Sequence, residues 1–315
     1  MAICIRRGLN EGGPGMTDAL RVNLEAVIVA VTAATPRVLT AKAMQECALP
    51  TGPLDVRADV TLERGLRESV KRLTGLALGY VEQLYTFGDR TRDPRRGDGG
   101  PRNIGIAYLA LIREREPPLT TALWQDIYGF LPWEDWRRQR PSVLDAVVGP
   151  VLHAWAGGDV RKQERAALAF GLDGATWDAE RTLERYELLW ETGALAEAGV
   201  ASKLGQPMAQ DHRRILATAL GRLRGKLRYR PVIFELLPET FTLTQMQQVV
   251  EALAGRRLHT QNFRRLIAGA GLVESTGQQT RAPRGRPAAL FRFRRDVIRE
   301  RPQPGVYYPG AWRPQ

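Results

Sequence analysis

Leu49-Pro50-Thr51-Gly52 and Thr74-Gly75-Leu76 bracket a stretch, residues 62–73, whose apolar residues recur at the spacing of one helix face. Thr61 is its N-cap and Gly75 its terminating residue, so the sequence bounds this helix at both ends. Upstream, residues 22–31 (VNLEAVIVAV) alternate and then run apolar, as a strand entering a buried sheet does. Residues 37–40 follow the turn signal Ala34-Thr35-Pro36 and read as its hairpin partner. Downstream, 81–87 and 104–112 are strand-like. The polar loop between them, 88–103, is rich in Arg, Asp and Gly and is expected to be mobile or ordered by a ligand. Strand, strand, loop, helix, strand, loop, strand predicts an α/β arrangement around a mixed sheet.

The loop and helix resemble a Nudix box, G-x5-E-x7-R-E-U-x-E-E-x-G-U with U a bulky apolar residue. In active members its glutamates hold a hard divalent cation, usually magnesium, against a pyrophosphate. Anchored on Gly75 and Leu76, the Arg-Glu positions fall on Glu68 and Ser69 and the Glu-Glu pair on Arg72 and Leu73. The upstream Glu falls on Val60 and the leading Gly on Leu54. A one-residue slip recovers Arg67-Glu68 but makes the pair Lys71-Arg72. Either register puts a cation where metal ligands should stand, a group that repels magnesium and can accept a phosphate directly. The expectation is a Nudix fold without hydrolysis: no catalytic residue, no metal and no required cofactor. An ordinary amphipathic helix ending at Gly75 is the competing reading.

Charge points to a polyanionic partner. The 315 residues carry 46 Lys and Arg against 34 Asp and Glu, a formal net charge of +12. Thirteen arginines and no lysine stand against six carboxylates from residue 231 onward, so more than half of the excess lies in the last quarter. Two cysteines, Cys4 and Cys47, form neither a disulfide framework nor a metal site, which suits a reducing cytoplasm. No stretch is apolar for long enough to span a membrane. Residues 1–18 read as a disordered extension, or as translation from upstream of Met16.

Residues 119–202 turn helical and hold six of seven tryptophans: Trp124, Trp133, Trp136, Trp155, Trp177 and Trp190. They either fill a core or an intersubunit face, or stack on an adenine or nicotinamide ring. Residues 211–227 predict a basic amphipathic helix with Ile215, Leu216, Leu220 and Leu223 on one side. Arg213, Arg214, Arg222, Arg224 and Lys226 are expected mainly on the other, solvated or touching phosphates.

The last quarter predicts a winged helix-turn-helix over 230–300, with 301–315 as a tail. Thr244 caps a first helix whose stripe is Leu243, Met246, Val249, Val250 and Leu253, ending at Gly255. Thr260 caps a second, 261–270, with Phe263, Leu266 and Ile267 inward and Gln261, Asn262, Arg264 and Arg265 outward. Strand-like 272–275 and 289–293 flank a basic loop. Arginine in a major groove reads guanine, and Asn or Gln reads adenine. Thr260, Gln261, Asn262, Arg264 and Arg265 are therefore candidate DNA contacts, with Arg281, Arg284 and Arg286 in the wing for phosphate or minor groove.

The stretches LPETFTLTQMQQVVEALAGRRLHTQNFRRLIAGAGLVESTG and GRPAALFRF resemble the bacterial Nudix-related transcriptional regulators of NAD metabolism. The insertion, with VEQLYTFGD and LPWEDWR, looks more like the longer NadQ branch than the compact NrtR branch. The resemblance implies an α/β plus α+β chain. A degenerate Nudix α/β/α domain with a mixed sheet (19–229, helical insertion about 119–202) would sense the effector and dimerise, and a winged helix would follow. It implies a homodimeric, cytoplasmic repressor of NAD biosynthesis genes on a palindromic double-stranded operator, sensing NAD, ATP or ADP-ribose. The effector is then expected beside Lys71 and Arg72 and along the loop after the 81–87 strand. There Tyr85 and Phe87 either stack on a base or fill the core, and Arg90, Arg92 and Arg102 either take phosphates or are solvated. Asp89 either accepts a ribose hydroxyl or caps the turn. The enzyme alternative is a nucleotide pyrophosphatase acting on ADP-ribose or NAD through Asp55, Asp59, Glu63 or Glu68. A regulator of another nucleotide-linked pathway and a pure interaction scaffold are further alternatives.

Overall fold

The computed structural model describes residues 20–43, 46–90, 92, 102–117, 122–280 and 287–313. Its first part is built from β1 (Leu20–Thr32), β2 (Thr35–Ala43), β3 (Glu46–Ala48), β4 (Thr51–Pro53), α1 (Leu62–Thr74), β5 (Tyr80–Phe87), β6 (Arg102–Leu111) and β7 (Ala122–Asp126). They form one sheet in the order β3-β2-β1-β6-β5, with β4 also on β1 and β7 on β2. β1 and β6 run parallel from Leu20 opposite Arg102 to Val29 opposite Leu111, and the other pairs are antiparallel, so the sheet is mixed as expected. The apolar run of β1 is buried on both faces. Leu24, Ala26 and Ile28 join Leu66 and Val70 of α1, while Val27 and Val29 belong to the larger core on the other face.

Helix α1 begins and ends where its caps dictate. Thr61 Oγ1 accepts from the Arg64 N–H, and Gly75, at φ 75°, closes the last turn on the Lys71 carbonyl. The β1–β2 turn corrects the sequence reading: it is Ala33-Ala34, both left-handed at φ 49° and 59°, and not Ala34-Thr35-Pro36. Thr32 pairs with Thr35, leaving a two-residue loop that needs positive φ at both positions. Pro36 lies inside β2, where the ladder to β7 has not yet begun, so its missing N–H leaves no bond unmade there.

The insertion comprises α2 (Ile127–Phe130), a single turn at Pro132–Glu134, a π-helical stretch (Leu144–Val148) continuing into α3 (Gly149–Ala156), α4 (Val160–Phe170), β8 (Trp177–Asp178) and α5 (Thr182–Glu191). It is not helical from its start: β7 adds to the main sheet, with Trp124 opposite Leu39. Five residues are too few for periodicity to separate a strand from a helix. Trp133 and Trp177 are fully buried, and Trp177 packs at 4.7 Å from Trp136 and 6.0 Å from Trp312. These rings serve the core.

Helix α6 (His212–Tyr229) overturns part of the amphipathic expectation. Arg213 and Arg224 are fully buried rather than on a solvent face. Arg213 donates to the Glu197 carboxylate at 2.5 Å and to the Leu204 carbonyl at 2.6 Å. Arg224 and Arg185 both grip Glu134, the latter at 2.6 and 3.0 Å. Charge at these positions finds a buried carboxylate instead of water.

The remainder is α7 (Leu243–Ala254), α8 (Thr260–Ala270), β9 (Val273–Gln279), β10 (Ala289–Phe293), α9 (Val297–Glu300) and β11 (Ala311–Trp312). The cap of α7 is Thr242, not Thr244: its hydroxyl accepts from Gln245 N–H while the Gln245 side chain accepts from Thr242 N–H. His259 precedes α8 without a side-chain cap, so Thr260 is its first residue. Leu266 is 36% exposed, while Phe263 and Ile267 are buried as expected. Phe241 bridges Phe291 and so adds a third strand position to the β9–β10 hairpin. Beyond α9 the chain folds back along α6. Val306 N–H donates to the Leu227 carbonyl, Tyr308 Oη to that of Arg224, and β11 pairs with β8.

Burial alone would raise the Glu134 carboxyl, but the guanidinium groups of Arg185 and Arg224 outweigh it and hold it below the usual carboxylate range. Glu134→Ala strands two buried cations, and the expected loss of stability is about 3–5 kcal/mol. Urea unfolding of the full chain at neutral pH measures it, and an unchanged midpoint would remove the triad from the stability argument.

Candidate nucleotide cleft and nucleic-acid interface

A cleft of about 440 Å³ opens against α1, lined by Pro53, Asp55, Asp59, Arg64, Glu68, Ser69 and Arg72 among others. Its floor depends on close packing, since a Cβ at Gly52 would meet the Ser69 hydroxyl at 2.5 Å. Two of its carboxylates serve their own loop. Asp55 accepts from the N–H groups of Arg57 and Ala58, which hold it below the usual carboxylate range, and Asp59 accepts from Asp55 N–H at 2.8 Å. Glu63 pairs with Arg67. Arg64 and Arg72 share the cleft with Glu68. Among the described residues no group of three or more His, Cys, Asp or Glu side chains is placed to hold a metal ion. This donor set, two guanidinium groups among carboxylates turned to other work, does not fit a hard divalent cation.

The residues singled out for an effector divide between the two faces of the sheet. Arg72 lines the cleft and bonds Ser69 Oγ at 3.0 Å, with Lys71 exposed beside it on α1. Tyr85 and Phe87 lie on β5, their rings 5.4 Å apart edge to face. Tyr85 is 63% exposed, whereas Phe87 is buried in the core that holds α6. Asp89 pairs with Arg214 of α6 at 2.5 Å, Arg102 donates to the Gly88 carbonyl at 2.9 Å, and Arg90 is exposed. Arg92 is neither solvated nor free for a phosphate: it is buried against Glu25 and Asp211, each at 2.8 Å. Arg64 went unnoticed in the sequence, although it lies four residues before Glu68 on the same helix, and Ser69 was read there only as a box position.

On the opposite end, α8 buries Phe263, Ile267 and Ala270 and exposes Thr260, Gln261, Asn262, Arg264 and Arg265. Asn262 and Arg265 are mutually oriented at 3.3 Å, and Gln247 donates to Thr260 Oγ1 at 3.4 Å. The turn before α8 is pinned by the buried Glu251, which accepts from Leu258 N–H at 2.8 Å and from Gln247 at 2.9 Å. Arg281, Arg284 and Arg286 lie outside the described residues. Helix, tight turn, exposed polar helix and hairpin make a winged helix-turn-helix whose outward face carries Gln, Asn and Arg, side-chain types able to read base edges.

A family model of the NrtR DNA-binding winged helix domain matches residues 233–293. The ADPR responsive transcriptional repressor NtrR of Acinetobacter baylyi is 41% identical over 246 residues, 78% of this chain and 69% of the relative. The chain belongs to the NrtR family of Nudix-related transcriptional regulators. Its fold is also that of solved structures. Shewanella oneidensis NrtR complexed with a 27mer DNA superposes with TM-score 0.55 at 22% identity, covering 88% of this chain and 95% of that one. A MutT/nudix family protein from Enterococcus faecalis gives 0.54 at 17% identity, over 91% and 90%. The fold class read from the sequence, a Nudix domain with a carboxyl-terminal winged helix, is thereby established. Among the described residues no helix is long and apolar enough to cross a membrane.

Asp211 and its neighbour His212 fasten the start of α6 to the sheet. His212 Nδ1 accepts from Leu49 N–H at 3.0 Å, which places the ring proton on Nε2, 4.0 Å from Glu25. Burial pushes the His212 pKa down to about 4, and pushes the Glu25 carboxyl up to about 7 against the pull of Arg92. Because the folded-state value of His212 lies below its ordinary 6.5, its stabilising contribution is full above that pH and is lost as pH falls toward 4. In a histidine NMR titration His212 is expected to stay neutral, protonated at Nε2, down to about pH 5. A midpoint near 6.5 would overturn this tautomer and its buried setting.

Proposed function

We propose that this chain is a cytoplasmic transcriptional repressor of NAD biosynthesis genes that binds a palindromic operator as a homodimer and senses ADP-ribose in its Nudix domain. The observation that carries the reading is α8, whose exposed Gln261, Asn262, Arg264 and Arg265 stand on a helix packed for groove entry. The name of the Acinetobacter relative supports ADP-ribose ahead of NAD and ATP. The cleft chemistry supports the same choice: Arg64 and Arg72 suit a diphosphate, and Glu68 suits a ribose hydroxyl. The same mixture disfavours the pyrophosphatase reading, because cations at the metal position oppose magnesium. In this reading ADP-ribose is bound without being cleaved.

Coupling needs contacts that run from cleft to reader and differ between two states. Arg67 of α1 donates to the carbonyls of Leu78 and Gly79 at 2.6 and 3.0 Å. Tyr80 and Glu82, next on β5, hold Lys226 of α6. Two residues before Lys226, Arg224 donates to the Leu253 carbonyl at the end of α7 at 3.0 Å. A nucleotide that shifts α1 therefore has a contiguous path to the winged helix.

Fluorescence anisotropy with DNA from upstream of NAD-synthesis genes, at fixed salt and with a scrambled duplex as control, tests the reading. Specific binding altered by ADP-ribose is expected, with no magnesium-dependent release of AMP. Equal binding to both duplexes, indifferent to nucleotide, would leave only a basic protein. Arg264→Ala with Arg265→Ala should weaken the specific complex at least tenfold, since a bidentate base contact is worth roughly 1–3 kcal/mol. Arg67→Ala should leave ligand-free DNA affinity unchanged and shrink the ADP-ribose effect. A full effect in that variant would remove Arg67 from the path.

A further inference from the structure

We propose that the insertion loop 135–140 is a second DNA-backbone contact, with Arg138 and Arg257 taking phosphates at the edge of the groove that α8 enters. This inference rests on the DNA-binding reading of α8 and extends the interface to a part of the chain outside the winged helix.

The loop and the helix-turn-helix turn form one backbone unit. Trp136 N–H donates to the Gly255 carbonyl at 2.6 Å, Trp136 forms a parallel bridge with Arg256, and Arg257 Nε donates to the Arg137 carbonyl at 3.3 Å. Arg138 is two residues from Trp136, so its backbone lies within about 7 Å of that of Trp136. In a helix-turn-helix the amino-terminal end of the second helix meets base edges, while the elements beside it cross the phosphate backbone. Arg257 stands three residues before α8, which is where that backbone passes.

Most of the surrounding charge is already spent. Arg137 is bound to Asp135 at 2.7 Å and to the Ala34 carbonyl at 2.5 Å. Arg140 is bound to Asp145 at 3.1 Å and lies over the Trp136 ring. Arg256 is half-buried over Trp312. Arg138 is different: it is exposed and takes part in none of the described hydrogen bonds or ion pairs, although its field reaches Asp135. The Arg257 side chain is 74% exposed and keeps a long contact, 3.6 Å, to the buried Glu251. Two accessible guanidinium groups on a rigid ledge beside a recognition helix suit phosphates, which any sequence offers, and not bases.

The test is a salt series of anisotropy titrations with full-length protein on two probes: a duplex recovered by selection from a random-sequence pool, and a scrambled duplex of equal length. Arg138→Ala is expected to weaken both complexes by the same factor and to flatten the slope of log affinity against log salt by about 0.9 per bound copy. Arg138→Lys should restore the slope, and Arg257→Gln should flatten it as Arg138→Ala does. Arg264→Ala with Arg265→Ala is the control and should lose the selected duplex preferentially. Slopes and affinities of the Arg138 and Arg257 variants equal to wild type, with the control impaired, would overturn this proposal and leave the regulator reading standing. Wild type that binds neither duplex in a salt-dependent way would overturn both.

Discussion

Glu134 sits between the guanidinium groups of Arg185 and Arg224 with all three side chains out of solvent, and three regions of the chain meet there. Glu134 comes from the single turn after α2 and Arg185 from α5, both in the insertion, and Arg224 from α6, whose other donors reach the Ala179 carbonyl and the end of α7. Three charges are removed from water at one place, which is favourable only when every lone pair and N–H is matched. Gly255 shows how tightly the match is drawn. It stands at φ 72°, and a Cβ there would come within 2.3 Å of the Glu134 carbonyl and 2.7 Å of Arg224. Glycine is therefore required twice at this position, once for the helix end and once for the approach of Glu134. The winged helix is held on the rest of the chain by this contact together with the apolar core that α7 shares with the sheet and α6.

Elements defined by local chemistry were legible in the sequence. The apolar run of β1, the Thr61 and Gly75 caps of α1, the order of α7, α8 and the wing, and the outward face of α8 all rest on interactions within a few residues. Features set by distant partners were not. Arg213 and Arg224 read as surface charge because their carboxylates, Glu197 and Glu134, are 16 and 90 residues away. A signal did exist. At about 100° per residue, positions 213, 217, 220, 224 and 227 share one stripe, so the two arginines lie in line with Ala217, Leu220 and Leu227. Phe87 and Arg92 belong to the same class, placed by α6 and by Glu25 and not by their neighbours in sequence. The choice of Thr242 over Thr244 was not open to local reasoning, because each has a glutamine three residues on, and only the structure shows Gln245 closing the box while Gln247 bonds Glu251 and the Leu258 carbonyl.

The box helix keeps its packing on the sheet while its open side departs from the box pattern. Leu66 and Val70 still pack α1 on β1, and Gly52 still lets Ser69 approach, so the cleft survives changes on its open side. On that side Arg64 and Arg72 bring positive charge into the place of a metal. A fixed guanidinium neutralises and orients a phosphate but cannot lower the pKa of a water as a metal does, so in the proposed reading the cleft binds a diphosphate without the means of cleaving it. For the proposed sensor this is the required separation. A ligand that persists in the cleft can bias an equilibrium, whereas one that is hydrolysed at each encounter cannot hold it.

In the proposed coupling, helix α6 is a route for that bias, because it touches both the sheet and the reader. Its first turns are tied to the sheet and to the segment after β5 through Asp211, His212 and Arg214, and its far end to β5 through Lys226 and to α7 through Arg224. Eighteen residues of helix span about 27 Å, and its buried ion pairs leave few ways to bend. In the proposed coupling a displacement at either end would be carried to the other as a rigid shift. The final residues reinforce this, since Tyr308 and Val306 bond the α6 backbone and β11 closes on β8. The chain thus clamps α6 from both sides, and in the proposed coupling a small movement of α1 passed through β5 would have the winged helix as its outlet.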